Sequence, residues 1–166
     1  MAQAVALQDA VLYDNDMEVP LVIFERYFCP YSAHAVEVGG ILYPTIEHAY
    51  HCQRYSDPNI REAIRAARSP LLAWTISQQH KARQLPHFAE YKVGVMHLLC
   101  WYKAKQHEDV RKTLIETGHL FIVKHRTTGT PADGFWDDGL DGSGHNMGGR
   151  IWQRVRTTLQ QQTPRQ

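Results

Sequence analysis

Two stretches of this 166-residue sequence gather residue types that can do chemistry. In the first, Tyr43-Pro-Thr-Ile-Glu-His-Ala-Tyr-His-Cys-Gln53, the side chains of Glu47, Tyr50, His51 and Arg54 lie three or four apart. On a helix they share one face. Glu47 falls in the first turn, where the helix dipole favours an ionised carboxylate. A carboxylate there can take a proton from water or steady a developing positive charge. The same residue also fits an ordinary solvated helix start. His48, His51 and Cys52 raise a metal site, but the spacing supplies no further ligand, and neither a metal nor another cofactor is expected. The second stretch is Gly134-Phe-Trp-Asp-Asp-Gly-Leu-Asp-Gly-Ser-Gly-His-Asn146, part of a loop over residues 126–145. Its glycines let backbone N–H groups approach a ligand, and it runs into a helix start that favours anions. Phe135 and Trp136 call for burial or a stacking partner. A tight structural loop is the other reading. The acidic spacing is wrong for an EF-hand, and no strand-loop-helix unit carries a dinucleotide fingerprint.

The elements that must hold these stretches are marked by local signals. Leu21 to Arg26 reads as a strand, and Val36 to Tyr43 as a hairpin turning at Gly39-Gly40. Thr45 caps a helix over 46–55. Asp57-Pro58 and Ser69-Pro70 each pair a capping side chain with proline at the first helical position. Pro86 is placed to open the longest helix, to about Lys105, with Tyr91, Val95, Leu98, Leu99 and Tyr102 on its buried face. A helix follows over 107–117 with Gly118 as its stop, then a buried strand within 119–125 and a last helix over about 146–159. Trp74, Trp101 and Trp152 read as helix-packing aromatics. Lys92 and Lys103 read as solvated, with the reach to meet a phosphate. Residues 1–19 form a lead-in and 161–166 a frayed tail around one α+β, mainly α-helical domain over 20–160.

Composition narrows the class. The chain is 43% hydrophobic and 21% charged, with 18 basic against 17 acidic residues, which is ordinary for a globular protein. That balance leaves no charge footprint for gripping duplex nucleic acid along its length. No apolar run reaches membrane-spanning length, and the N-terminus lacks a signal-peptide pattern. Cys29, Cys52 and Cys100 fit reduced thiols in a cytoplasmic protein.

Taken in order, the motifs resemble the NADAR (YbiA-like) family over roughly residues 20 to 160. The matching elements are Tyr31-Ser32-Ala33-His34, the Gly39-Gly40 turn, Pro44-Thr45-Ile46-Glu47-His48 with Gln53, and Ser69-Pro70. Further on come Lys92 with Met96, Lys103 with Gln106-His107, and Thr117-Gly118. The series closes with Trp136, Asp138-Gly139, Gly142, Gly144, Asn146 and Arg156. The resemblance implies a compact, largely helical α+β domain that hydrolyses the ribose C1′–N bond of a ribosylated nucleotide compound. The substrate would be a phosphoribosylaminopyrimidine intermediate of riboflavin synthesis, or ADP-ribose on guanine in nucleic acid. It would work beside riboflavin enzymes or an ADP-ribosyltransferase.

By the same resemblance, Glu47 and Asp138 are the catalytic carboxylates. Tyr50, Phe88, Lys92, Trp136, Gly142, Gly144 and Asn146 would bind substrate. Such hydrolysis passes through an oxocarbenium-like centre that a carboxylate can stabilise. The sequence departs from the pattern at Ala33 (asparagine), Ser77-Gln78 (glycine-arginine), Phe88 (tryptophan) and Asp137 (glycine). The lost asparagine and arginine motivate a second reading, a non-catalytic ADP-ribose or nucleotide-binding module.

Overall fold

Local backbone chemistry sets the boundaries of most elements in the computed structural model, which describes residues 21–23, 27–125, 134–139 and 141–162. The lead-in at 1–19, residues 24–26 of the first expected strand, the loop stretch 126–133 and tail residues 163–166 lie outside the described residues. The fold is α+β and mainly helical. Contacts group the chain into two compact units, residues 26–112 and residues 1–25 with 113–166.

In the unit of residues 26–112, β2 (Val36–Val38) and β3 (Ile41–Tyr43) pair antiparallel, Val36 opposite Tyr43. The two turn residues, Gly39 and Gly40, have φ of 59° and 78°, which a two-residue turn of this hand requires of both. Helix α1 (Ile46–Cys52) is three residues shorter than expected, and Thr45 accepts from the His48 N–H at its start. Helix α2 (Pro58–Arg65) is capped by Asp57 and helix α3 (Pro70–Gln79) by Ser69, each with proline at its first position. α1 packs on α2, α3 and α4 (Phe88–Gln106), and α4 also packs on β2.

Helix α4 corrects the sequence reading twice. Pro86 does not open it: His87 takes a left-handed φ of 61° and the helix begins at Phe88. Its buried residues are Phe88, Met96, Leu99, Cys100, Lys103 and Ala104, whereas Tyr91 and Leu98 are exposed. The stripe is rotated because Lys103, polar and so assigned outward, points inward and finds hydrogen-bond acceptors there. A pattern of apolar against polar residues cannot register a buried, satisfied lysine. Of the three tryptophans expected to pack between helices, Trp152 is fully buried, while Trp74 and Trp101 are half-buried.

Helix α5 (Glu108–Glu116) runs across the division between the units. In the other unit β1 (Leu21–Ile23) pairs parallel with β4 (Phe121–Val123), Leu21 opposite Phe121. Helix α6 (Met147–Gln162) lies on β4 and buries Ile151, Trp152, Val155 and Leu159. Its approach depends on glycine. A Cβ at Gly149 would collide with the Ile122 carbonyl oxygen, and one at Gly148 would come within 2.9 Å of the Trp136 carbonyl. Arg156, buried on the same helix, donates to Thr117 Oγ1 at 2.6 Å and to the Leu120 carbonyl at 2.9 Å. The closing arginine of the motif series is thus a brace between α6 and the turn before β4.

Candidate active site

Helix α1 carries the chemistry of its unit. All seven of its residues are buried, so Glu47 is not a solvated helix start: it is 8% exposed. Its Oε1 lies 2.8 Å from His51 Nε2, one helical turn on. His51 Nδ1 in turn lies 3.1 Å from Ser77 Oγ on α3 and 3.3 Å from Arg54 Nη1. Tyr55 closes the cluster by donating to the Ser77 carbonyl at 2.6 Å. Ser77, which stands where the motif pattern has glycine, is therefore a fully enclosed hydrogen-bonding partner, 1% exposed.

Above this cluster the Arg54 guanidinium carbon sits 5.8 Å from the Tyr50 ring centre and 5.4 Å from that of Phe88. Phe88, expected as a stacking ring for substrate, is 1% exposed and packs edge-on against Tyr50 and Tyr91. It supports the ring of Tyr50 from behind. Lys92, one turn along α4, is half-buried.

His48 and Cys52, weighed above with His51 as metal ligands, are occupied differently. His48 Nε2 faces the Ala67 carbonyl at 3.1 Å, so that nitrogen carries the hydrogen, and Nδ1 faces the Thr45 hydroxyl at 2.8 Å. Burial pushes the pKa of His48 down, against the pull of the Ala67 carbonyl and the Glu47 charge. Burial also pushes the Cys52 thiol up to about 12, and its Sγ points at the Arg61 carbonyl. Among the described residues no group of three or more His, Cys, Asp or Glu side chains is placed to hold a metal ion.

The turn before β2 reaches Glu47 from the other side. The Glu47 N–H donates to the Pro30 carbonyl at 3.3 Å, and the Tyr31 phenol is pushed up to about 12 by burial and then by the Glu47 charge. Lys103 holds this turn. It is fully buried and donates to the Cys29 carbonyl at 3.0 Å and to Ser32 Oγ. Neither the solvated lysine nor the phosphate contact expected of it is compatible with that burial.

The second candidate stretch belongs to the other unit and is built around its own backbone. Asp138 is 3% exposed, its Oδ2 lies 2.8 Å from His125 Nδ1, and its N–H donates to the Lys124 carbonyl. Asp137 caps the following turn by accepting from the Gly139 N–H at 3.0 Å. Trp136 is half-buried with its ring edge-on to Phe135.

Gly142 has a φ of 82° that favours glycine. Gly144 is pressed against the 137–139 backbone, where a Cβ would meet Gly139 N at 2.5 Å, and its N–H donates to the Asp138 carbonyl at 2.7 Å. Asn146, expected to hold substrate, instead spends its amide on β4 and the residue that follows it: Oδ1 accepts from Lys124 N and Nδ2 donates to the Ile122 carbonyl, both at 2.9 Å. Gly144 and Asn146 shape the loop that carries Asp138. His125, which the sequence reading did not single out, is legible only through its contact with Asp138.

A family model described as the NADAR domain matches residues 16–160. The chain belongs to this family. It is similar to N-glycosidase YbiA of Escherichia coli (strain K12), 30% identical over 132 residues that make up 80% of each protein. It is also 28% identical over 155 residues to a riboflavin biosynthesis protein of Vibrio vulnificus (strain YJ016); the match takes 90% of this chain and 41% of that protein, so the chain spans less than half of that relative's length. Among solved structures, the NMR structure of the E. coli protein YbiA matches with a TM-score of 0.75 and 26% identity, over 87% of this chain and 89% of that one. Among the described residues no helix is long and apolar enough to cross a membrane.

Proposed function

We propose that this NADAR chain is an N-glycosidase that hydrolyses the ribose C1′–N bond of a ribosylated nucleotide compound, with Glu47 at the reacting centre. The observation that carries the reading is the state of Glu47: a carboxylate held away from bulk water, one oxygen bonded to His51 and the other without a hydrogen-bond partner among the described residues. An oxygen so placed can accept the proton of an attacking water while the charge steadies the oxocarbenium-like centre. In the overall step the C1′–N bond breaks, water supplies the new C1′–O bond, and its proton ends on the departing base.

The names of the similar proteins, an N-glycosidase and a riboflavin biosynthesis protein, support this class of bond and favour a ribosylaminopyrimidine phosphate as substrate. Asp138 is proposed as a second carboxylate the activity needs. Tyr50, with its ring backed by Phe88, Lys92 and Trp136 remain the proposed substrate-binding side chains.

The test offers the purified chain a phosphoribosylaminopyrimidine and, separately, ADP-ribosylated guanosine, and follows release of the base. Cleavage of the first is expected. Cleavage of the second alone would move the substrate to ADP-ribosylated guanine. Turnover of neither would sink the enzymatic reading and leave a nucleotide-binding module. Glu47→Gln should keep binding and reduce turnover by about 100-fold or more, the weight of a positioned general base.

A further inference from the structure

The partners of His51 fix more than its position. Nε2 faces a carboxylate oxygen, which can only accept, so this nitrogen carries the hydrogen. Nδ1 faces Arg54 Nη1, which can only donate, and the Ser77 hydroxyl, which is free to donate. Both ring nitrogens are thus assigned by what lies opposite them, and the imidazole is the neutral Nε2–H form. The other tautomer is excluded, since an Nδ1–H would face the guanidinium and leave Glu47 with no donor. His51 is 3% exposed, and Ser77, which closes the far side, is 1% exposed.

We infer that His51 is the positioning residue for Glu47: it gives one N–H to Oε1, and Arg54 and Ser77 hold it in the form able to do so. This rests on the reading of Glu47 above and adds a division of labour between its two oxygens. Oε1 is spent on orientation, which leaves Oε2 as the lobe that meets water. Because the neutral ring brings no positive charge to the carboxylate, the charge of Glu47 remains available to the developing cation at C1′. Arg54 acts here through His51. Ser77 ties α3 to α1, so a residue far along the chain sets the aim of a carboxylate on another helix.

A substitution series separates this role from simple packing. The side-chain amide nitrogen of glutamine reaches as far from the backbone as imidazole Nε2; that of asparagine reaches only as far as Nδ1. His51→Gln therefore keeps the donor to Glu47, His51→Asn loses it, and His51→Leu fills space with no donor. On the ribosylated compound that the wild-type chain cleaves, phosphoribosylaminopyrimidine or ADP-ribosylated guanosine, kcat should fall about 10- to 100-fold in the Leu and Asn variants with KM little changed. The range is what a hydrogen bond to a charged group supplies. The Gln variant should return to within a few-fold of wild type. Circular dichroism and thermal unfolding identify the variants that fold.

Wild-type kcat in folded His51→Leu overturns the inference, as does a Gln variant no better than Leu. The second measurement needs no substrate. The 15N spectrum of wild-type His51, assigned by its loss in His51→Gln, should show a protonated Nε2 and an unprotonated Nδ1. The opposite tautomer, or a doubly protonated ring at neutral pH, overturns the inference by itself. A chain with the expected tautomer that cleaves neither compound refutes the activity and leaves the orientation of Glu47 by His51 supported.

Discussion

Replacing Lys103 by methionine turns a buried charge into a measurable pH dependence. Lys103 is fully enclosed, and burial pushes its pKa from the ordinary 10.5 to about 8, against the weaker opposing pull of Cys100, Cys29 and Asp109. Between these two values the unfolded chain keeps the proton and the folded chain has lost it, so the unfolded state binds more protons and stability rises with pH. The contribution is fully present above the unfolded value and is lost as pH falls through about 8. The gap between 10.5 and about 8 amounts to about 3 kcal/mol, most of which falls between pH 7 and pH 10.

Methionine matches the length of the stem, removes the titration, and leaves the Cys29 carbonyl and Ser32 hydroxyl without the Lys103 donor. Ser32 still donates to the Cys29 carbonyl through its N–H and Oγ, so the loss is that of two hydrogen bonds, about 1–3 kcal/mol each; it opposes the relief of desolvation, and the variant's stability at pH 7 alone decides nothing. The assay is urea unfolding of both proteins from pH 7 to 10. The wild type should gain about 2–3 kcal/mol on the variant over that span. Subtracting the variant removes the other groups that titrate there. A difference that stays flat would mean that Lys103 ionises as in water and does not hold the 29–32 turn from inside.

Three further outcomes are expected. Gly144→Ala forces a Cβ into the backbone of residues 137–139, with Gly139 N at 2.5 Å, and should cost about 1–3 kcal/mol in urea unfolding together with loss of turnover. Asn146→Ala removes both bonds to the backbone of β4 and the residue after it; it should destabilise by about 2–4 kcal/mol while KM in the surviving folded protein changes little, because the amide serves this backbone and not the substrate. Asp138→Asn keeps the shape of the side chain and removes its charge beside His125, and turnover of the ribosylated substrate should fall at least about 100-fold; unchanged kcat would remove Asp138 from the reaction.

The sequence carried whatever is decided within a few residues. Thr45, Asp57 and Ser69 each bond to backbone N–H groups two or three positions ahead, so the starts of α1, α2 and α3 were legible as residue types. Gly39-Gly40 announced its turn for the same reason, and helical spacing alone put Glu47, Tyr50, His51 and Arg54 on one face. The ordered motifs carried the family.

Tertiary structure decided burial and partnership. It made Glu47 a buried carboxylate, sent Lys103 inward to Ser32 across 71 positions, and set Ser77 against His51 across 26. It also gave the Asn146 amide to a strand 24 residues earlier. For Lys103, Ser77 and Asn146 the physical reason is the same. A polar side chain goes inside only if a donor or acceptor waits there, and that partner is brought by folding from a part of the chain that spacing cannot reach.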